Sequence, residues 1–354
     1  MQFLNNFKNK KVMVTGHTGF KGSWLSVWLN ILGAEVIAVS KDIPTQPSHY
    51  ELFKKIFNYD YRINLENLTK LTEIIKKNKP DYLFHLAAQP IVLQSYTNPY
   101  DTFSSNSLGT LNILEALKRS NHKCSAIFIT SDKCYENINQ EIKYKETDRL
   151  GGIDPYSTSK ASAELIIKGY YESFFKTSES KIRISSARAG NVMGGGDWAE
   201  HRIVPDCIKS WNSEKELVIR NANATRPWQH VLEPVNGYLT LASLLNENTK
   251  LNGESFNFGP SDSNSYTVES LVIELAKFFP GAKWSIEDSK NKLYEANLLS
   301  LDCMKAKKTL GWEAKLNFNK TAEWTSKWYH IYYNEGLEAA ANLTKKQISE
   351  YSND

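Results

Sequence analysis

The stretch VMVTGHTGFKG, Val12 to Gly22, decides how the chain folds. It opens as an apolar, β-branched strand, VMVT, and ends at the head of the amphipathic segment SWLSVWLNIL. Between them Gly16, Gly19 and Gly22 are spaced GxxGxxG. Small residues there allow a tight turn, close approach of backbone N–H groups to a pyrophosphate, and packing of the helix on its strand. Loop glycines are common, so the triplet alone says little. Set between a strand and an amphipathic helix, it reads as a dinucleotide-binding turn.

Working outward, similar apolar runs recur: EVIAVS from Glu35, DYLFHLA from Asp81, SAIFITS from Ser125 and KIRISSARA from Lys181. Apolar on both faces, they suit parallel strands covered by helices on each side. The segments between have helical spacing: Leu25, Trp28, Leu29 and Leu32 make one apolar face, and Leu111, Leu114 and Leu117 another. Alternating strand and helix predicts an α/β fold, a Rossmann-type doubly wound parallel sheet whose ligands bind beyond the carboxyl ends of its strands. After Gly190 the alternation stops, and seven of the nine tryptophans lie in the remainder. The expected division is a nucleotide-binding domain over 1–190, a smaller, irregular mixed α/β lobe over 191–335 that binds the substrate, and a polar, loosely held tail over 336–354. NKTAEWTSKWYHIYYN is expected to be a helix.

Bulk properties narrow the function. The 354 residues suffice for two lobes, and 41% hydrophobic with 23% charged residues is globular rather than disordered. A net charge of +4 without a basic run gives no argument for nucleic acid, but suits an anionic small molecule. Cys124, Cys134, Cys207 and Cys303 are scattered, so neither a disulfide framework nor a metal site is expected, and a reducing cytoplasm is. Apolar runs such as WLSVWLNILGA are too short to cross a membrane.

Two further motifs carry chemistry. In DPYSTSK, Tyr156 and Lys160 are four apart at the head of a helical run, so both can point into one site. A neighbouring ammonium favours phenolate, making the tyrosine a base for a hydroxyl proton during hydride transfer, with Ser131 able to bond the same oxygen. In SDKCYEN, Ser131 to Asn137, Asp132 and Lys133 stand side by side at a strand end. They are either a solvated ion pair or two halves of a proton-transfer site. Asp42, about twenty residues past the glycines, is at the reach of an adenosine ribose, and is otherwise a solvated loop residue.

TGHTGFKG, HLAAQ (His85–Gln89), NSLGT (Asn106–Thr110), Ser131 and YSTSK resemble the extended short-chain dehydrogenase/reductases that modify nucleotide-linked sugars. GHTGFKGSWL, LAAQPIVLQSY, TSDKCYEN, GGIDPYSTSKASAEL, RAGNVMGGGDW and RPWQHVLEPVNGYL carry the likeness to the CDP-sugar branch of their 4,6-dehydratases, from Lys11 to Tyr329. The resemblance implies NAD bound by Gly16, Gly19, Phe20, Lys21, Gly22, Leu86, Ala87, Gln89, Asn106, Tyr156 and Lys160. It implies CDP-glucose as substrate, held by Asn191, Arg202, Arg226, His230, Asn257 and Glu295. Tyr156 would be the base at C4, with Lys160 lowering its pKa. Asp132 would be the general acid, and Lys133 either the C5 base or a charge that stabilises the enolate. His17 and His85 are expected to be structural or part of the cofactor loops. The implied product is a CDP-4-keto-6-deoxy sugar plus water, for deoxy sugars of a surface polysaccharide such as O-antigen, made by a homodimer or homotetramer. Rivals are a dehydratase or epimerase of another nucleotide sugar, and a non-catalytic NAD-binding protein of the same fold. The chain departs from the family at Tyr294–Glu295–Ala296, usually His-Glu-Ala, and at Tyr61–Arg62–Ile63–Asn64, where an acid is usual.

Overall fold

Runs that are apolar on both faces form a sheet covered on both sides. The structure is a computed structural model describing residues 2–219, 221–260, 266–287 and 299–353. In chain order its main elements are β1 (Lys11–Thr15), α1 (Phe20–Ile31), β2 (Glu35–Ser40), α2 (His49–Phe53), β3 (Tyr59–Arg62), α3 (Leu68–Asn78), β4 (Tyr82–His85), α4 (Gly109–Ser120) and β5 (Cys124–Ile129). There follow α5 (Pro155–Tyr170), β6 (Ile182–Ala189), α6 (Ile203–Asn212), α7 (Leu232–Glu247), β7 (Ser255–Phe258), α8 (Phe318–Glu335) and α9 (Leu337–Asn353). The seven strands make one parallel sheet ordered β7-β6-β5-β4-β1-β2-β3. The order reverses at β1, so β1 and β4 diverge to opposite sides and leave a crevice beyond Thr15 and His85, which are in register.

Side chains alternate across the sheet. Val12 and Val14 pack with Trp24, Leu25 and Trp28 of α1, and with α7, α8 and α9, on one face. Met13, Ile37 and Val39 pack with Leu71, Leu114 and Leu117 of α3 and α4 on the other. No helix among the described residues is long and apolar enough to cross a membrane.

Two expectations are corrected. β7 and α7 come from beyond Gly190 yet complete the sheet and cover it, so the sheet layer does not end at 190. Residues 336–354 are not a loose tail, because α9 is a docked helix. Its Thr344 hydroxyl accepts from Trp328 Nε1 at 2.8 Å, Gln347 donates to Trp324 O at 3.0 Å, and Tyr351 donates to Glu233 Oε2 at 2.5 Å. Tyr351 also packs edge-on against Trp28. The helix fastens α1 to the part of the chain that follows the sheet.

Candidate active site

The glycine turn forms because nothing larger fits. Gly16 lies at φ +77°, and a Cβ there would stand 2.6 Å from Ala87 N. A Cβ on Gly22 would stand 2.1 Å from Gly16 O. Gly19 precedes α1 without any side-chain cap, so the first N–H groups of α1 stay open at the positive end of the helix. A cavity of about 1500 Å³ opens beyond this turn, lined by Gly16, Gly19, Phe20, Lys21 and Gly22. Leu86, Ala87 and Gln89, after β4, line it too, as do Asp42 and Arg202. The main-chain oxygen of Asp42 accepts from Thr18 Oγ1 at 2.7 Å, which pins that wall.

Asn106, expected beside the cofactor, is fastened to the protein. Its Oδ1 accepts from Gln89 N at 2.8 Å, and its Nδ2 donates to Gln89 O and to Ser159 Oγ at 3.1 and 2.8 Å. With both amide hydrogens and one oxygen lone pair engaged, Asn106 fixes the cavity wall to α5. His17 and His85 are buried and bonded to Ser40 and Thr15, as structural histidines.

The reactive groups meet where β5 and α5 converge. Asp154 caps α5, accepting from Ser157 N at 2.9 Å, and Pro155 pre-sets its first turn. That turn places Tyr156, and Lys160 one turn on, with both side chains buried. Ser131 lies close enough to the Tyr156 side chain to pull its pKa down. It also donates to Asp132 Oδ1 at 3.0 Å and accepts from Lys133 N at 3.2 Å. Asp132 Oδ2 is buried with no partner among the described residues. Gly190 faces it, where a Cβ would lie 3.3 Å away.

Asp132 and Lys133 form no ion pair among the described residues; Asp132 is buried and Lys133 half-buried. Burial pushes the Asp132 carboxyl above the ordinary carboxylate range, against the pull of Lys133, Ser131 and Arg226. Burial favours the protonated form, and a protonated carboxyl with an unengaged oxygen can donate its proton.

The Tyr156–Lys160 pair reverses the expected polarity. Burial pushes Tyr156 up to about 12, although Ser131 and Arg202 pull it down. Burial, with Lys21 adding, pushes Lys160 down to about 7, against Cys134 and Glu164. Lys21 is itself pushed down to about 8 by burial and by Arg202, against Asp132. In the bare protein, desolvation outweighs the attraction that would favour phenolate. Lys21, Lys160 and Arg202 lie near one another, and among the described residues only Arg202 of the three has a carboxylate in contact, Asp197 at 2.8 Å. Uncovered helix N–H groups and excess cations fit a dinucleotide pyrophosphate.

The substrate candidates divide. Arg202 leads into α6 and its charge acts on Tyr156; Arg226 is buried and its charge acts on Asp132. Asn191 is half-buried just past β6 and Gly190. His230 is in the core: it is fully buried between Trp24 and Trp324, and burial pushes it down to about 3. Asn257 is fully buried and saturated, accepting from Tyr135 at 2.7 Å and donating to the carbonyls of Tyr144 and Asp302. Both are therefore structural rather than substrate contacts. Glu295 lies outside the described residues. Sequence reasoning missed Asp197, which orients Arg202 from within GGGDW, and Glu164, which continues the Tyr156–Lys160 face by four residues. Among the described residues no three His, Cys, Asp or Glu side chains group as metal ligands.

Residues 13–325 match the family described as GDP-mannose 4,6 dehydratase. The chain belongs to this family. Within it, the chain is 40% identical over 352 residues to the CDP-glucose 4,6-dehydratase of Salmonella typhimurium, covering 98% of this chain and 97% of that one. It is 25% identical to the UDP-glucose 4-epimerase of Mycoplasma genitalium, with 92% and 98% covered. Solved structures share the fold. The epimerase Mth375 of Methanothermobacter thermautotrophicus superposes with a TM-score of 0.79 at 23% identity, over 98% of this chain and 97% of the other. The dTDP-glucose 4,6-dehydratase of Bacillus anthracis, solved in complex with NAD, gives 0.76 at 21%, over 92% and 97%.

Proposed function

We propose that the protein converts CDP-glucose to CDP-4-keto-6-deoxyglucose and water with NAD as recycled cofactor. The observation that carries this reading is Asp132: a buried carboxyl, its pKa raised by burial and one oxygen without a partner among the described residues, beside Ser131 and Tyr156. A 4-epimerase needs the hydroxyl pair but no such acid. The 40% identity to a CDP-glucose 4,6-dehydratase supports the same substrate.

When bound, the nicotinamide supplies the redox chemistry, oxidation at C4 and reduction at C6. Its pyrophosphate is assigned to the uncapped start of α1 and to Lys21, and its adenosine ribose to Asp42. Arg62, the nearby guanidinium, is engaged by Asp60 at 2.8 Å, which favours a free ribose hydroxyl over a phosphate. Tyr156 takes the proton of the sugar 4-hydroxyl as a phenolate, a form that the bare site disfavours and that the positive charge of bound NAD would favour, with Ser131 bonding the same oxygen and Lys160 beside it. The 4-ketone acidifies C5–H. Lys133, at the half-buried edge of the turn, takes that proton or stabilises the enolate, and Asp132 protonates the departing 6-hydroxyl. Arg202 and Arg226 are assigned to the substrate diphosphate, and Asn191 to its neighbourhood.

The product suits deoxy-sugar synthesis for a surface polysaccharide. Four free cysteines accord with the cytoplasm. Exposed Tyr100, Leu108 and Leu165 on the nucleotide lobe suit a homodimer or homotetramer. The reading is tested by mass spectrometry of the purified protein with NAD and, separately, CDP-glucose, UDP-glucose, dTDP-glucose and GDP-mannose. Loss of water from CDP-glucose alone is expected; equal loss from all four would reject the assigned nucleotide.

A further inference from the structure

Beneath the acid–base turn lies a buried polar chain that the reaction itself does not use. Glu164 sits on α5, one turn past Lys160 and two past Tyr156. Its Oε1 accepts from Thr130 Oγ1 at 2.5 Å, and Thr130 is the residue just before Ser131. Its Oε2 accepts from Arg188 Nη2 at 2.7 Å and from Ser186 Oγ at 2.9 Å. Arg188, on β6, donates from Nη1 to Tyr135 Oη at 2.9 Å and stacks 5.0 Å over the Tyr135 ring. Tyr135 in turn donates to Asn257 Oδ1 on β7. Glu164 and Arg188 are both buried and paired; both Glu164 oxygens are bonded, and Arg188 is bonded through its two Nη groups, while its Nε has no partner among the described residues.

The turn from Ser131 to Cys134 is therefore gripped at both ends, at Thr130 by Glu164 and at Tyr135 by Arg188. A buried ion pair is a weak source of net stability, because packed apolar groups often do as well. What it provides is fixed geometry, since both charges must stay paired. Glu164 rides on the helix that carries Tyr156 and Lys160, while the groups it grips flank Asp132 and Lys133.

We propose that Glu164, Arg188 and Tyr135 are positioning residues that register the elimination pair, Asp132 and Lys133, against the oxidation pair, Tyr156 and Lys160. This rests on the dehydratase reading above. Oxidation at C4 draws on Tyr156 and Lys160 of α5 and takes only Ser131 from the turn, whereas elimination takes both its acid and its second group, Asp132 and Lys133, from the turn and needs it held at the right distance from α5. Loosening the grip at Tyr135 or Thr130 thus slows the second step and spares the first.

The test is single-turnover kinetics on the full chain with NAD and CDP-glucose. C4 oxidation is read by reduced-nicotinamide absorbance and elimination by the 4-keto-6-deoxy product. Tyr135→Phe removes two hydrogen bonds, the one accepted from Arg188 and the one donated to Asn257, while Arg188 keeps Glu164, so elimination should slow by about ten- to a hundredfold. Oxidation should stay within about twofold, and reduced cofactor should accumulate. Thr130→Val, gripping from the other end, should do the same, and Thr130→Ser, which keeps the hydroxyl, should restore the wild-type balance. Folded variants in which both steps fall together, or neither changes, would overturn the clamp. Wild-type protein that forms no 4-keto-6-deoxy product would overturn the dehydratase reading and the clamp with it, which separates the two failures.

Discussion

Gly22→Ala is the sharpest probe of the cofactor turn. The added Cβ would stand 2.1 Å from Gly16 O, 2.8 Å from Gly16 C and 2.9 Å from His17 Cα. A carbon–oxygen contact normally needs about 3.3 Å, so the turn must open by about 1 Å. All three neighbours are backbone, and no rotamer change relieves them. Overpacking costs about 1–3 kcal/mol, and backbone against backbone belongs at the upper end. Shared between the protein and the turn, about 3 kcal/mol predicts melting lower by up to about 4 °C and NAD binding weaker by about ten- to a hundredfold. Gly169→Ala is the control. Gly169 is exposed in α5 with no atom within 4 Å of its added Cβ, so it should melt slightly higher and bind NAD as the wild type does. Calorimetric titration with NAD and thermal unfolding read both. Gly22→Ala that melts and binds like the wild type would refute the assignment of this turn to the cofactor.

Three further outcomes follow from the geometry. Asp132→Asn keeps shape but not acidity, so water elimination should fall by about 10²–10⁴-fold. Because burial raises the Asp132 pKa in the folded state, its contribution to stability is complete below the unfolded value, about 4, and is lost as pH rises through the folded one. The Asn variant should therefore gain on the wild type in urea unfolding between pH 4 and neutrality; a constant gap would contradict the raised pKa. Tyr156→Phe should cut C4 oxidation by about 10²–10⁴-fold, and substantial turnover would remove Tyr156 as the base. Tyr351→Phe leaves Glu233 Oε2 without its donor from α9 and should cost about 1–3 kcal/mol, seen as a fall in melting temperature, whereas unchanged melting would show that α9 is not fastened there.

The nucleotide lobe was legible because its strands are continuous apolar runs and its helices carry clear stripes, so periodicity alone separates them. β7 was not, since SFNF is only four residues long and joins the sheet through a distant segment. α9 looked like a tail because most of its inward residues, Ala340, Thr344, Gln347 and Tyr351, are small or polar, and its apolar packing through Ile348 is supplemented by hydrogen bonds. The reactive residues were legible from spacing and resemblance: Tyr156 and Lys160 share a face, and Ser131 with Asp132 ends a strand. Their protonation was not, because the burial that pushes Tyr156 up and Lys160 down is a property of three dimensions. His230 and Asn257 show the same limit. A polar residue buried in the core and a ligand-binding one read alike in sequence.

The most direct measurement supplies CDP-glucose deuterated at C4 to the protein with catalytic NAD and follows the label by mass spectrometry and NMR. The account predicts loss of water, deuterium carried to the C6 methyl group, and no net reduction of NAD. Deuterium that remains at C4 with the 6-hydroxyl intact would contradict it.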